Sequence, residues 1–344
     1  MHCLLVFLDQ ASDNWILTKV HCIFALLDCQ HGRGNMPGPR AHTRKRNNSA
    51  STEMKNRTKI EKPIFMVGCA RGGTSLVYRL LATHPQAAWF SNWTSRLPSQ
   101  TWLAILSRLA DPFPVTLRNI TGWPSPEIEA HQIYKRCGIH ELHERERRPI
   151  TSRDVPAESS AQFRDIICRH LKWQGKPRFV HKNVNNSYRI AYLHEVFPDA
   201  RFIHVVRDGR AVAMSLLNAW FWGSYTLWWC GKRPGEIEAE GVDPLVICGS
   251  FWRRTVRAVT AAAADLPPDQ FMQVRYEDFV AAPEKWISQI FDFCELQPNS
   301  RFKEMLRANP VRNMNGRWQD RIPAASVDRL WREIQNTALD LGYD

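Results

Sequence analysis

None of the nine cysteines in this 344-residue chain forms a CxxC pair, and none clusters with histidine at zinc-ligand spacing. Zinc ribbons and dithiol redox centres are thereby excluded. Scattered cysteines of this kind point to reduced, partly buried thiols in a cytoplasmic protein. Long apolar runs are also missing. Leu4–Leu8 and Ile23–Leu27 are interrupted and separated by Asp9, Asp13 and Lys19, and Asp28 ends the second. Neither approaches the roughly 18 residues of a membrane-spanning helix. No basic region precedes the first apolar run, so a secretory signal is not expected. Internal repeats are absent as well.

The length suits one large α/β domain or two small ones. Formal net charge is +12, and between Met36 and Lys62 eight Lys/Arg face two Glu. That stretch, MPGPRAHTRKRNNSASTEMKNRTKIEK, has few apolar residues and reads as disordered. A solvated linker is preferred over a nucleic-acid-binding arm. Residues 1–60 are therefore expected to be an atypical N-terminal extension, and residues 61–344 a single α/β domain.

The segment Pro63–Pro85 reads PIFMVGCARGGTSLVYRLLATHP. Ile64–Val67 has the look of a buried strand. Gly68–Ser75 is a glycine-rich turn. Leu76, Val77, Leu80 and Leu81 then recur at helical spacing. Strand, glycine turn and helix together form an anion cradle, because the backbone can close on a ligand and free N–H groups attract negative oxygens. The phosphate-gripping lysine of a P-loop is missing; Thr74 stands in its place and Arg71 supplies the charge. A phosphate-like ligand handled without nucleotide–magnesium chemistry follows. Cys69, inside the turn, reads as a small filler residue.

Further along, short apolar runs alternate with helical patterns. Strands are expected at Ala87–Phe90, Arg178–His181, Arg201–Val206 and Phe271–Val274. Helices are expected at Trp102–Leu109, Phe163–Trp173, Ser187–Phe197, Asp208–Leu217, Ser250–Leu266, Pro283–Cys294 and Ala324–Leu341. Dense mixed charge over Glu127–Arg148 reads as an exposed helix, and Asp111–Pro126 as a proline-rich loop. The fold class is α/β: a P-loop-like three-layer fold, with a central, mostly parallel sheet flanked by helices. Ligands in such sheets gather at the carboxyl ends of the strands. Arg71, Lys182, Arg207 and Tyr276 each follow a strand.

A second anion grip lies in FPDARFIHVVRDGRAVAMSL. Its buried strand delivers Arg207 to a helix start, and Ser215 lies two turns along that helix. Arginine at a strand end can hold a phosphate in a bidentate manner. A structural ion pair of Arg207 with Asp208 is the plainer alternative. Two separated grips suit a nucleotide with groups at both its 3′ and 5′ positions.

In order, these segments resemble the sulfotransferase superfamily, over roughly Pro63 to Tyr343. The first loop is similar to the family's 5′-phosphosulfate loop, and the Arg207 segment to its 3′-phosphate segment. VRYEDFVAAPEKWISQIFDF resembles its late strand–helix unit, and Gly316–Trp318 its C-terminal nucleotide loop. An arginine in the first loop is the style of bacterial and tyrosylprotein sulfotransferases. The resemblance implies 3′-phosphoadenosine 5′-phosphosulfate as donor, no metal, and transfer of a sulfuryl group to a hydroxyl or amine. The acceptor could be a small molecule, a carbohydrate or a peptide. Carried over by position, Arg71, Gly72, Gly73, Thr74 and Ser75 would hold the 5′ phosphosulfate, and Arg207 and Ser215 the 3′ phosphate. Tyr276 would sit near the adenine, and Arg317 and Trp318 would close over the nucleotide. Lys182 and Arg71 would neutralise charge on the departing oxygen.

Relatives of this branch place a glutamate base about twenty residues after the loop arginine. Here Phe90-Ser91-Asn92-Trp93 carries no carboxylate. His181 is the first candidate for the base, although alternation along a strand would point it away from Lys182. Glu158, Asp154 and His84 follow. The aromatic run Trp220–Trp229 could stack on an acceptor or pack as a lid. Two rival functions remain: a P-loop kinase, and a nucleotide-binding protein of this fold that has lost catalysis.

Overall fold

In the computed structural model, residues 59–110 and 124–344 are described. The expectations for residues 1–58 and for the loop over 111–123 lie outside the described residues. Five strands form one parallel sheet: β1 (Ile64–Val67), β2 (Ala87–Ala88), β3 (Arg178–Lys182), β4 (Arg201–Val206) and β5 (Phe271–Arg275). Their spatial order is β2-β3-β1-β4-β5. The chain leaves β1 toward β2 and β3, then crosses back to β4. β1 therefore sits at the point where the order reverses, which in such sheets is where a crevice opens.

Strand alternation divides the core. Phe65, Val67, Phe179 and Phe202 pack on one face with the helix Ala157–Gln174. Ile64, Met66, Val180, Ile203 and Val205 pack on the other with the helices Thr74–Leu81 and Pro283–Phe293. All four residues of β1 are wholly buried, as expected of a parallel strand covered on both sides. A third apolar cluster joins the helices Gly209–Leu217, Pro244–Ala263 and Ala324–Asp340. Trp252, wholly buried there, donates its indole N–H to the Arg207 carbonyl at 3.0 Å. That bond fixes the backbone at the end of β4.

One expected element is corrected. The charged stretch Glu127–Arg148 is not a single exposed helix. It breaks into His131–Arg136 and Leu142–Glu146, with left-handed backbone at Ala130, Glu141 and Arg147. The charges masked a buried set: Ile133, Tyr134, Ile139 and Leu142 all enter the core. A smaller correction concerns Ser187–Phe197, where a 3-10 turn over Val184–Tyr188 precedes a helix that starts only at Ile190.

Two histidines report on this core. His170 and His204 are wholly buried, and desolvation pushes each down to about 4 from 6.5. As pH falls the unfolded chain binds protons first, from about 6.5, while the folded chain resists until about 4. Stability is therefore lost across that window, by up to roughly 1.4 kcal/mol per pH unit for each histidine. The melting temperature of wild type should fall between pH 7 and pH 5. His204→Asn, which keeps a partner for Gln273 without a titrating ring, should fall less steeply. Identical slopes would contradict this reading.

Candidate active site

A cavity of about 610 Å³ opens at the carboxyl ends of the central strands. Arg71 after β1, Lys182 at the end of β3 and Arg207 after β4 all line it. These three strands are neighbours, so the topology itself gathers the cations.

The glycine loop is built by close approach. Gly68 has φ 143°, and a Cβ there would lie 2.4 Å from the Val205 carbonyl oxygen. Its N–H donates to Ser187 Oγ at 2.9 Å. Gly72 N–H donates to the Cys69 carbonyl at 2.9 Å, closing the turn. Gly73 has φ 91°, and a Cβ would meet the Tyr276 ring at 2.3 Å. The helix beginning at Thr74 has no side-chain cap, so its first N–H groups face the cavity end unassisted. Thr74 and Ser75 line the cavity there. Cys69 is buried and desolvation raises its thiol pKa, which suits a filler and not a nucleophile.

The two anion grips are in contact. Arg71 Nε donates to Ser215 Oγ at 2.9 Å, and Arg207 Nη1 donates to the Arg71 carbonyl at 3.3 Å. Arg207 also donates to Asn315 Oδ1 at 3.0 Å and to the Met314 carbonyl at 3.1 Å. Its guanidinium lies 4.6 Å from the centre of the Tyr276 ring. Burial lowers its pKa from the ordinary arginine value. The C-terminal turn Asn315–Trp318 thus reaches the site through Asn315 and the preceding Met314. Tyr276 packs between Gly73 and Arg207. Trp318 stacks on Arg210, 4.6 Å from ring centre to guanidinium, and joins the third core cluster. Arg317 lies in the same turn, and its side chain is outside the described residues.

Lys182 is 3% exposed, and its ammonium donates to Glu129 Oε1. Glu129 Oε2 accepts from the Val184 N–H at 2.9 Å, and Asn183 Nδ2 donates to the Glu129 carbonyl at 2.5 Å. Glu127 and Glu129 both line the cavity. Neither was expected from the sequence, where they lay in the charged stretch read as a solvated helix. Their placement is explained by a short antiparallel contact. Glu127 N–H donates to the Phe90 carbonyl at 2.8 Å, and Asn92 N–H to the Ser125 carbonyl at 3.0 Å, flanking a bridge between Ser91 and Pro126. Glu127 and Glu129 thus reach the cavity from the segment lying beside Phe90–Trp93. The one signal available was the Glu-x-Glu spacing after Pro124 and Pro126, which in extended chain puts both side chains on one side.

His181 as the base is corrected. Register pairs Phe65 with His181 and Met66 with Lys182, so the two side chains leave opposite faces of the sheet. The imidazole is wholly buried among Tyr78, Phe90, Tyr134 and Phe179. Desolvation holds its pKa well below the usual value. It is a neutral core ring. The other candidates lie elsewhere. Asp154 is held to about 2 by Arg148, His84 contacts the Gln297 carbonyl, and Glu158 is exposed on the helix Ala157–Gln174. The aromatic run divides. Trp222, Leu227 and Trp228 are core, while Trp220, Phe221 and Tyr225 line the cavity.

Residues 63–300 match the sulfotransferase family, and the chain belongs to it. It is 25% identical over 237 residues to a protein-tyrosine sulfotransferase of Drosophila melanogaster, covering 69% of this chain and 38% of that protein. It is 24% identical over 310 residues to omega-hydroxy-beta-dihydromenaquinone-9 sulfotransferase Stf3 of Mycobacterium bovis, covering 83% of this chain and 76% of that one. The chain thus spans well under half of the length of the fly enzyme. Among solved structures, sulfotransferase STF1 from Mycobacterium tuberculosis superposes with TM-score 0.54 at 18% identity, over 83% of this chain and 79% of that one. Sulfotransferase STF9 from Mycobacterium avium gives 0.53 at 18% identity, over 81% and 77%. The fold is shared with both.

The loop geometry has a direct consequence. Gly73→Ala should destabilise the protein by on the order of 1–3 kcal/mol, from left-handed backbone strain and the Tyr276 clash. In a Tyr276→Ala background the penalty should shrink, because only the strain remains. Denaturant unfolding of the four proteins measures the coupling; strict additivity would show that the ring does not confine the loop.

Proposed function

We propose that the protein transfers the sulfuryl group of 3′-phosphoadenosine 5′-phosphosulfate to a hydroxyl or amine, most simply a hydroxyl, as in the protein-tyrosine and omega-hydroxy menaquinone enzymes it resembles. The observation that carries this reading is the meeting of Arg71, Lys182 and Arg207 with Glu129 in one cavity. The loop Arg71–Ser75 takes the 5′ phosphosulfate on its free N–H groups and helix end. Arg207 and Ser215 take the 3′ phosphate. Donor binding draws the Arg71 side chain off Ser215, and Lys182 off Glu129, toward the new negative charge.

Glu129 is then left as an unpaired carboxylate beside the reacting centre. It accepts the hydroxyl proton as the acceptor oxygen attacks sulfur. The bond between sulfur and the bridging oxygen breaks, and adenosine 3′,5′-bisphosphate leaves with its charge neutralised by Lys182 and Arg71. Such a transfer is mostly positioning and electrostatics, as in phosphoryl transfer. Lys182 thus has two anionic partners in turn, which makes donor-first binding the favoured order.

Adenosine 3′,5′-bisphosphate should raise the melting temperature with chelator present, and ATP much less, since it lacks the 3′ phosphate. Arg207→Ala should weaken that binding by roughly 2–3 kcal/mol. Lys182→Ala should cut single-turnover transfer from radiolabelled donor far more than it weakens bisphosphate binding. His181→Phe, an aromatic substitution in an aromatic shell, should leave transfer intact. Magnesium-dependent ATP binding, or normal transfer by Lys182→Ala, would refute the reading.

A further inference from the structure

The cavity holds more than the donor needs. Trp220 is 94% exposed, the most solvent-accessible of the large apolar side chains described, yet it lines the same cavity as the cations. Its ring meets Phe221 edge-on, with centroids 5.8 Å apart. Tyr225 lies beside them in the lining, donates to Asn185 Oδ1 at 3.3 Å, and is kept protonated by burial. An exposed tryptophan backed by a half-buried phenylalanine at the rim of a polar cavity is a surface for a ring or a cation.

The charges decide between acceptors. Arg71, Lys182 and Arg207 face the donor. Two carboxylates, Glu127 and Glu129, line the same space. Glu129 is used by Lys182 and the Val184 N–H. Glu127 is not: its side chain accepts only the Ile128 N–H at 3.2 Å, and among the described residues no lysine or arginine pairs with it. Other titratable groups nearby do not reverse the balance. His131 is kept neutral by desolvation, and Glu144 is raised to about 7 by burial. Arg189 is wholly buried behind the lining, 4.9 Å from the Tyr134 ring centre, and adds one positive charge. The donor itself brings about four negative charges, from one phosphate monoester and the phosphosulfate. Once it is bound, the field left for the acceptor is net negative.

We propose that the acceptor is a cationic hydroxyl compound, an alcohol or phenol bearing an ammonium group, held by the Glu127 carboxylate and the faces of Trp220 and Phe221 while its hydroxyl meets Glu129. This deepens the sulfotransferase reading and rests on it. A carboxylate-bearing acceptor meets repulsion from the donor and from Glu127 together. A neutral one gains only the aromatic contact. The cation gains both: attraction to the half-buried Glu127 carboxylate, stronger there than in water, and the smaller cation–π contribution of the exposed Trp220 ring.

Three phenols of nearly equal size test this: tyramine, 4-ethylphenol and 4-hydroxyphenylacetate. Each is titrated by calorimetry into protein saturated with adenosine 3′,5′-bisphosphate. Tyramine should bind at least tenfold more tightly than 4-ethylphenol, and 4-hydroxyphenylacetate most weakly. Glu127→Gln should lower tyramine affinity severalfold more than 4-ethylphenol affinity. Trp220→Ala, at a site too exposed to endanger the fold, should weaken tyramine as well. Equal affinities, preference for the carboxylate, or binding of none of the three to the loaded protein would overturn the proposal. If the bisphosphate itself fails to bind, the sulfotransferase reading falls first, so the two failures are distinguishable.

Discussion

Like charge crowded at one edge of a parallel sheet is the constraint to which the site answers. β3, β1 and β4 lie side by side, and each delivers a cation to the same cavity. Their repulsion is offset by partners within the chain. Lys182 is met by Glu129, Arg207 by the Arg71 and Met314 carbonyls and Asn315, and Arg71 by Ser215. Each of these partners is one that an incoming anion can replace. On the proposed function these contacts stand where the donor's oxygens would bind, and they offset the cost of burying each of the three cations.

The same constraint explains why the C-terminal turn matters. Met314 and Asn315 are over a hundred residues from Arg207 in sequence, yet they hold its guanidinium. The Tyr276 ring, fixed against Gly73, supplies a face beneath it. Loop, strand end, tyrosine and C-terminal turn form one unit around a single arginine. Trp318, from the same turn, packs on Arg210 and the helical layer.

What could be read from the sequence was what is local. Ile64–Val67, Gly68–Gly73 and Arg201–Arg207 carry their conformations in consecutive residues, through burial runs, glycine and strand-to-helix punctuation. The parallel alternation that separates His181 from Lys182 was also legible, and it proved decisive. Glu129 was not legible, because its place in the cavity comes from a pairing of Ser91 with Pro126 across a long segment. Its own neighbourhood, dense in charge, imitates a solvated helix. The buried aliphatic positions Ile133, Ile139 and Leu142 were hidden by the same charges. Trp220–Trp229 could not be resolved by composition, since its rings divide between core and cavity.

The central claim is that Lys182 is shared between Glu129 and the donor. Glu129→Gln separates this from a purely structural ion pair. Without the carboxylate, a lysine that is 3% exposed loses its counter-charge, so the unliganded protein should melt lower than wild type. The donor then supplies the missing charge. Its addition should raise the melting temperature of Glu129→Gln by more than it raises that of wild type, while transfer to any acceptor collapses. A donor-induced rise equal to or smaller than wild type, with transfer retained, would contradict the account.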